Sequence, residues 1–264
     1  MHVAVAQFAA TTDKAANLVA ISKHIEEAAS LGAQLVVFPE NAMYANGDPT
    51  ADIRADTEAL DGDFGTAIAT LARQYGIAVV AGMTERPTTP EGRASNTVIA
   101  VGSTGERLGA YRKVHLYDAF GHRESDRVQP HSPEAVTFQL EGLTFGVMTC
   151  YDLRFPEMAR FLVDAGADAI IVPAAWVVGP AKEDHWTTLV RARAIENTVY
   201  VLASGQTGPV SAGQSLIVDP MGTVVACAGE CPKVVTAILT PDRVAEVRVK
   251  NPSLANRRFT VVPA

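Results

Sequence analysis

Short runs rich in valine and isoleucine alternate along this chain with stretches whose apolar residues recur every three or four positions and end in glycine, the pattern of an α/β fold with buried strands. The opening Met1-His2-Val3-Ala4-Val5-Ala6-Gln7-Phe8 alternates as a strand does. Asn17 to Ser30 then places Leu18, Ile21, Ile25 and Ala28 at helical spacing, Gly32 stops the helix, and Leu35-Val36-Val37-Phe38 follows as a buried strand ended by Pro39. Gly65 to Tyr75 reads as a helix capped by Gly76, and Ile77 to Ala81 as the next strand. Thr97 to Val101 and Glu106 to Arg112 read as a hairpin turning through Gly102-Ser103-Thr104-Gly105.

The same order returns in the second half. Leu143 to Thr149 predicts a strand and Pro156 to about Asp164 a helix. Leu31-Gly32-Ala33-Gln34-Leu35-Val36-Val37-Phe38-Pro39 aligns with Ala165-Gly166-Ala167-Asp168-Ala169-Ile170-Ile171-Val172-Pro173, each a helix end, an apolar strand and a proline. Helix His185 to Asn197, strand Val199 to Ala203, and a hairpin of Ser215 to Val218 and Thr223 to Ala226 complete the parallel. Two copies of this length do not make a solenoid, which needs more and shorter units. The expectation is two similar halves, each contributing one sheet with helices on its outer face, in a four-layer αββα sandwich. No Pro/Gly/Ser-rich linker divides them, so residues 1–264 are expected to form a single domain. Polar stretches near Pro87 to Ala94 and His122 to Pro133 read as surface loops, the second as a carrier of function.

Composition narrows the function. Of 264 residues, 48% are hydrophobic and 19% charged, which excludes a disordered chain. Asp plus Glu outnumber Lys plus Arg 29 to 22, and no cluster of four or more basic residues occurs, so nucleic acid and anionic membrane surfaces are not expected partners. Three scattered cysteines do not make a disulfide framework, and the opening residues lack the features of a signal peptide; a cytoplasmic protein is expected. The apolar run Ala169 to Ala181 is interrupted by Pro173, Gly179 and Pro180 and is too short to cross a membrane.

In α/β sheets ligands gather beyond the carboxyl ends of strands. Three reactive side chains stand there: Glu40 after the Leu35 strand, Lys113 after the Glu106 strand, and Cys150 after the Leu143 strand, just before a helix. A cysteine so placed would have its thiolate favoured by helix N-terminal N–H groups. A carboxylate could take the thiol proton and later activate water, and a fixed lysine could stabilise an oxyanion, which together suffice for acyl transfer. Each also has a plain reading: Cys150 as a small core hydrophobe, Glu40 as a solvated loop charge, Lys113 as an edge charge beside Arg112. His115 or His185 could pair with Cys150 instead, but Glu40 and Lys113 already fill the base and oxyanion roles. Cys227 and Cys231 offer only half the ligands of a structural zinc site, and no phosphate-binding glycine loop follows a strand.

Phe38-Pro39-Glu40, Tyr111-Arg112-Lys113-Val114-His115-Leu116 and Cys150-Tyr151-Asp152-Leu153-Arg154-Phe155-Pro156-Glu157 resemble, in order and placement, the three motifs of the nitrilase or carbon–nitrogen hydrolase superfamily. The resemblance runs from Val3 to about Arg258. It implies a four-layer αββα sandwich, a homodimer, and a site with neither metal nor cofactor. It makes Cys150 the nucleophile, Glu40 the general base and acid, Lys113 the charge facing the oxyanion, and the Tyr151 backbone N–H the rest of the oxyanion hole. In Phe120-Gly121-His122-Arg123-Glu124-Ser125, Glu124 matches a second glutamate that orients the lysine and substrate; its plain alternative is a surface pair with Arg123 or Arg127. Similar proteins often continue into Pro-Gly where this chain has Gln129-Pro130-His131.

Cys-Tyr-Asp-Leu-Arg-Phe-Pro-Glu, with Gly179-Pro180-Ala181 and His185-Trp186, is most similar to the Nit-type amidases, which include ω-amidase and deaminated-glutathione amidase. Such a branch implies hydrolysis of a small carboxylate-bearing amide through a cysteine thioester; nitrile hydrolysis, acyl transfer to an amine and a non-catalytic binding protein are the alternatives. Arg154 is then the candidate to hold the carboxylate, against an ion pair with Asp152 or Glu157. Trp176 and Tyr44 are candidate pocket walls, against plain packing. The segment Val244 to Ala264 either covers a partner subunit or packs as an arm on its own chain.

Overall fold

A computed structural model describes residues 1–89 and 91–264; Pro90, in the polar stretch read as a surface loop, lies outside the described residues. The first half runs β1 (His2–Gln7), α1 (Lys14–Ser30), β2 (Leu35–Val37), α2 (Asp63–Tyr75), β3 (Ala78–Glu85), β4 (Ser95–Val101) and β5 (Arg107–Arg112). The second runs β6 (Thr137–Leu140), β7 (Leu143–Val147), α3 (Pro156–Asp164), β8 (Ala169–Ala174), α4 (Lys182–Asn197), β9 (Tyr200–Gly205), β10 (Leu216–Val218), β11 (Val224–Cys227), β12 (Lys233–Ile238) and α5 (Pro241–Lys250).

Two six-stranded sheets result, in the orders β12-β1-β2-β3-β4-β5 and β11-β10-β9-β8-β7-β6. In each, three parallel strands (β1 to β3, β7 to β9) continue into an antiparallel hairpin on one side and meet an antiparallel edge strand on the other. The halves are alike, as the alignment of their segments predicts, but they do not each keep to one sheet. Strand β12, for which the sequence pattern gives no reading, crosses back to pair with β1, His2 opposite Ile238 and Gln7 opposite Lys233. It is the counterpart of β6, which pairs with β7 in the other sheet.

One apolar cluster fills the space between the sheets, where Val3, Val5, Val37 and Val80 of the first meet Phe145, Ile171 and Leu202 of the second, and continues to the outer face of the second sheet with Leu162 of α3 and Trp186 and Val190 of α4. A second core, with Ile21, Ile25, Ile68 and Ala72, seats α1 and α2 on the outer face of the first sheet. Helix, sheet, sheet, helix is therefore the layer order. Each aliphatic side chain fully buried in these cores contributes about 1.5–3 kcal/mol of transfer free energy. Among the described residues no helix is long and apolar enough to cross a membrane.

Up to Arg257 the C-terminal segment packs on its own chain. Val244 and Val247 are buried beneath α5, Arg243 pairs with Asp219 at 2.7 Å, Arg248 with Asp168 at 3.0 Å, and Arg257 with Asp164 at 2.7 Å.

Close approach of backbones fixes the turn after β2. A Cβ on Gly82 would stand 2.6 Å from Asn41 N, 2.7 Å from Pro39 O and 2.8 Å from Glu40 Cα, so only glycine lets β3 lie against that turn. Gly82 N also donates to Pro39 O, and Met43 N donates to Gly82 O. From α1, the buried Asn17 Nδ2 donates to Thr11 O and Met43 O at 2.8 and 3.0 Å, closing the same turn from the other side. Gly82→Ala should lower stability in urea unfolding by about 1–3 kcal/mol, the usual cost of overpacking. Gly47→Ala, where a Cβ meets nothing within 4 Å, should leave it unchanged.

Candidate active site

Both sheets deliver reactive side chains to one place. Glu40 follows β2 and Lys113 follows β5 in the first sheet; Cys150 follows β7 in the second; Glu124 comes from a single helical turn, Glu124–Asp126, in the polar loop. All four are buried. Lys113 Nζ donates to Glu40 Oε1 at 2.7 Å and to Glu124 Oε2 at 2.9 Å. An ammonium has three protons, so one remains beyond these two bonds.

The two carboxylates are also held together by an amide. Asn96 Nδ2, on β4, donates to Glu40 Oε1 at 2.7 Å and to Glu124 Oε1 at 2.9 Å. The remaining Glu40 oxygen, Oε2, accepts from Ala175 N at 2.7 Å just past β8, and Glu124 Oε2 accepts from Tyr117 N at 2.7 Å. Gln206 Nε2 holds the Glu40 carbonyl at 2.8 Å. Glu124 thus faces inward to Lys113 and pairs with neither Arg123 nor Arg127; Arg123 instead reaches Asp126.

Charge distribution sets the resting protonation. Burial pushes the Glu40 carboxyl up, but the Lys113 charge and hydrogen bonds from Lys113, the Cys150 thiol and Ala175 N–H outweigh it and hold it below its ordinary range. Burial pushes Lys113 down, and the charges of Glu124 and Glu40 reverse this, holding it well above its ordinary value. Burial and the Glu40 charge push the Cys150 thiol well above its ordinary value, and Lys113 offsets them only in part. Burial and the Glu40 charge thus oppose the thiolate that a helix N-terminus would favour, and shift the Cys150 sulfur toward the thiol beside a carboxylate and an ammonium.

Cys150 sits on a sharp turn, with φ +46° in the left-handed region that costs a non-glycine residue free energy. Asp152 holds that turn. Fully buried, its Oδ2 accepts from Thr149 N at 2.8 Å and Tyr111 OH at 2.6 Å, and its Oδ1 from His115 N at 3.0 Å and lies 2.8 Å from His115 Nδ1. His115 also stacks on Phe155, ring centroids 3.7 Å apart. It braces the turn and is not the partner of the thiol. Neither is His185, whose Nδ1 lies 3.4 Å from Arg154 Nη2.

Above Cys150 opens a narrow cleft lined by Tyr117, Tyr151, Arg154, Trp176, Val177 and Lys182 among others. Tyr151 is the second residue of the helical turn that begins at Cys150, where backbone N–H groups have no partner within the turn. Arg154 forms no ion pair with Asp152 or Glu157. Its guanidinium lies 4.7 Å above the Trp176 ring and 5.4 Å from the Phe120 ring. Trp176 lines the cleft, fixed by its Nε1 donating to Lys182 O at 2.7 Å. Tyr44 does not: it packs with the core under the first sheet, its hydroxyl accepting from Asn46 Nδ2 at 3.2 Å.

Sequence reasoning missed Asn96 and Lys182. Asn96 lies in the strand Ser95-Asn96-Thr97-Val98, where polar neighbours on both sides leave it without a distinguishing local signal. Cys227 and Cys231 are exposed and free, and among the described residues no group of three or more His, Cys, Asp and Glu is placed to hold a metal.

The carbon–nitrogen hydrolase family model matches residues 2–249. A protein of Escherichia coli O157:H7 named deaminated glutathione amidase is 40% identical over 260 residues, 98% of each chain. The NitFhit protein of Caenorhabditis elegans superposes with a TM-score of 0.90 at 28% identity, over 98% of this chain and 66% of that one. A point mutant of the amidase from Nesterenkonia sp. AN1, which carries acrylamide added at its active-site cysteine, superposes with a TM-score of 0.80 at 28% identity, over 95% of this chain and 97% of that one. By sequence, fold and the three strand-end motifs together, this chain belongs to the carbon–nitrogen hydrolase family.

Proposed function

We propose that the protein hydrolyses the amide bond of a small carboxylate-bearing substrate through a thioester on Cys150. The observation that carries this reading is the buried Glu40–Lys113–Glu124 cluster with the Cys150 thiol beside it, at the floor of a cleft whose wall presents the Arg154 guanidinium. As Cys150 Sγ attacks the amide carbon, Glu40 takes the thiol proton. The carbonyl oxygen gains negative charge, met by the third Lys113 proton and the Tyr151 backbone N–H. Collapse breaks the C–N bond, and the proton on Glu40 passes to the leaving nitrogen. Glu40 then deprotonates a water that attacks the thioester, and Cys150 leaves as the thiol with that proton returned. The products are a carboxylic acid and ammonia, or an amine where the amide nitrogen is substituted.

Glu40 can act as base in the first half of this cycle because Lys113 keeps it ionised and the thiol keeps its proton until substrate arrives. Glu124 is a positioning residue: with Asn96 it fixes Lys113 against the site of the oxyanion. Arg154, near the Trp176 and Phe120 rings, takes the substrate carboxylate, which a guanidinium binds in bidentate fashion. The same reading makes the protein a cytoplasmic homodimer; the exposed free thiols Cys227 and Cys231 suit a reducing compartment, and Phe259 and Val262 offer exposed apolar surface to a second copy. Light scattering should return twice the chain mass; the mass of one chain would refute the dimer.

A panel of α-keto-acid amides, dicarboxylic monoamides, deaminated glutathione and simple nitriles tests the chemistry. Ammonia or amine release is expected from the carboxylate-bearing amides, absent from Cys150→Ala, and absent from the nitriles. Release that persists in Cys150→Ala would refute the thioester. Glu124→Gln should lower kcat by about 100-fold with little change in KM, as loss of an oxyanion-stabilising contact does; an unchanged kcat would remove Glu124 from the positioning role.

A further inference from the structure

The cleft wall holds a second cation that the hydrolytic cycle does not use. Lys182, the first residue of α4, lines the cleft with its side chain only 6% exposed. Its Nζ donates to Tyr117 OH at 2.6 Å and lies 4.7 Å from the centroid of that ring and 5.0 Å from that of Phe120. No carboxylate pairs with it or with Arg154 among the described residues. Both cations flank the same Phe120 ring, Arg154 at 5.4 Å and Lys182 at 5.0 Å from its centroid. A buried cation left with a hydroxyl and π faces is costly unless an anion completes it. Every other strongly buried cation of the site region is neutralised: Lys113 by two carboxylates and Arg193 by Glu196 and the Leu153 carbonyl.

From this imbalance we infer that Lys182 is a specificity-determining residue that selects amides carrying two carboxylates, one held by Arg154 and the other by Lys182. Tyr117 OH, accepting from Nζ, keeps its own proton to donate to the same anion. A substrate with one carboxylate neutralises Arg154 and leaves Lys182 as it stands; a doubly anionic one neutralises both. The cleft therefore discriminates by charge count as well as by the reactive amide. Phe120, 66% exposed at the mouth, shields both cations from water and strengthens the discrimination. This inference rests on the amidase reading above.

The test compares kcat/KM, by glutarate or substituted-glutarate formation, for glutaramate with one carboxylate and for two doubly charged relatives. N-glutarylglycine carries its second carboxylate on the amine side, and 2-carboxyglutaramate carries it on the acyl side. Wild type should favour one of the doubly charged amides over glutaramate by about 10- to 100-fold, the worth of a hydrogen bond to a charged group. Lys182→Met should erase that preference, and Lys182→Arg should restore it, which a merely structural role would not do. The preference should also shrink as salt rises. No preference for either doubly charged amide in wild type, or a preference that survives Lys182→Met, would overturn the inference. Turnover of none of the three would instead overturn the amidase reading.

Discussion

A single ammonium, Lys113, buried between the carboxylates of Glu40 and Glu124, is the interaction on which the site depends. Two carboxylates brought together out of water would not both stay ionised; one would take up a proton and cease to be a base. The ammonium between them removes that penalty, and they in turn hold its proton. Asn96 bridges the two acids from beneath, and Ala175 N–H fixes the Glu40 oxygen that Lys113 does not reach. Charge is thus arranged before substrate arrives. A preorganised array of this kind stabilises developing charge without reorganising at the moment of reaction.

This array needs two sheets and a loop to meet within hydrogen-bonding distance, and backbone contacts supply that precision. Gly82 lets β3 press against the Glu40 turn, while Asp152 ties the Cys150 turn to the Tyr111–His115 segment that carries Lys113. Cys150 and Lys113 are therefore linked through a fully buried carboxylate as well as through Glu40. The left-handed backbone at Cys150 is held by the same contacts, so local strain exposes the thiol to the cleft while the surrounding hydrogen bonds prevent the turn from relaxing.

Much of this was legible in the residues. Buried parallel strands are written as apolar runs closed by proline or glycine, and Glu40, Lys113 and Cys150 each stand just beyond one, so their convergence follows from topology. Strand β12 was not legible because Lys233-Val234-Val235-Thr236-Ala237-Ile238 finds its partner at the opposite end of the chain. Asn96 and Lys182 act only through neighbours distant in sequence, and nothing local distinguishes them from an ordinary polar strand residue and a helix-start lysine. The thiol is the instructive reversal. A rule about strand-to-helix junctions predicts a thiolate, but the junction is outweighed by burial and by a carboxylate 110 positions away in the chain.

The central claim is that Cys150 rests as a thiol and is deprotonated by Glu40 only as it attacks. It is tested most directly by the pH dependence of Cys150 alkylation with iodoacetamide in wild type and Glu40→Gln. The account predicts a wild-type rate with no inflection near the ordinary thiol value of about 8.5, and a Glu40→Gln rate that is strongly reduced at neutral pH and climbs as pH rises. A wild-type rate that climbs through the ordinary thiol range, or a Glu40→Gln profile identical to wild type, would contradict it.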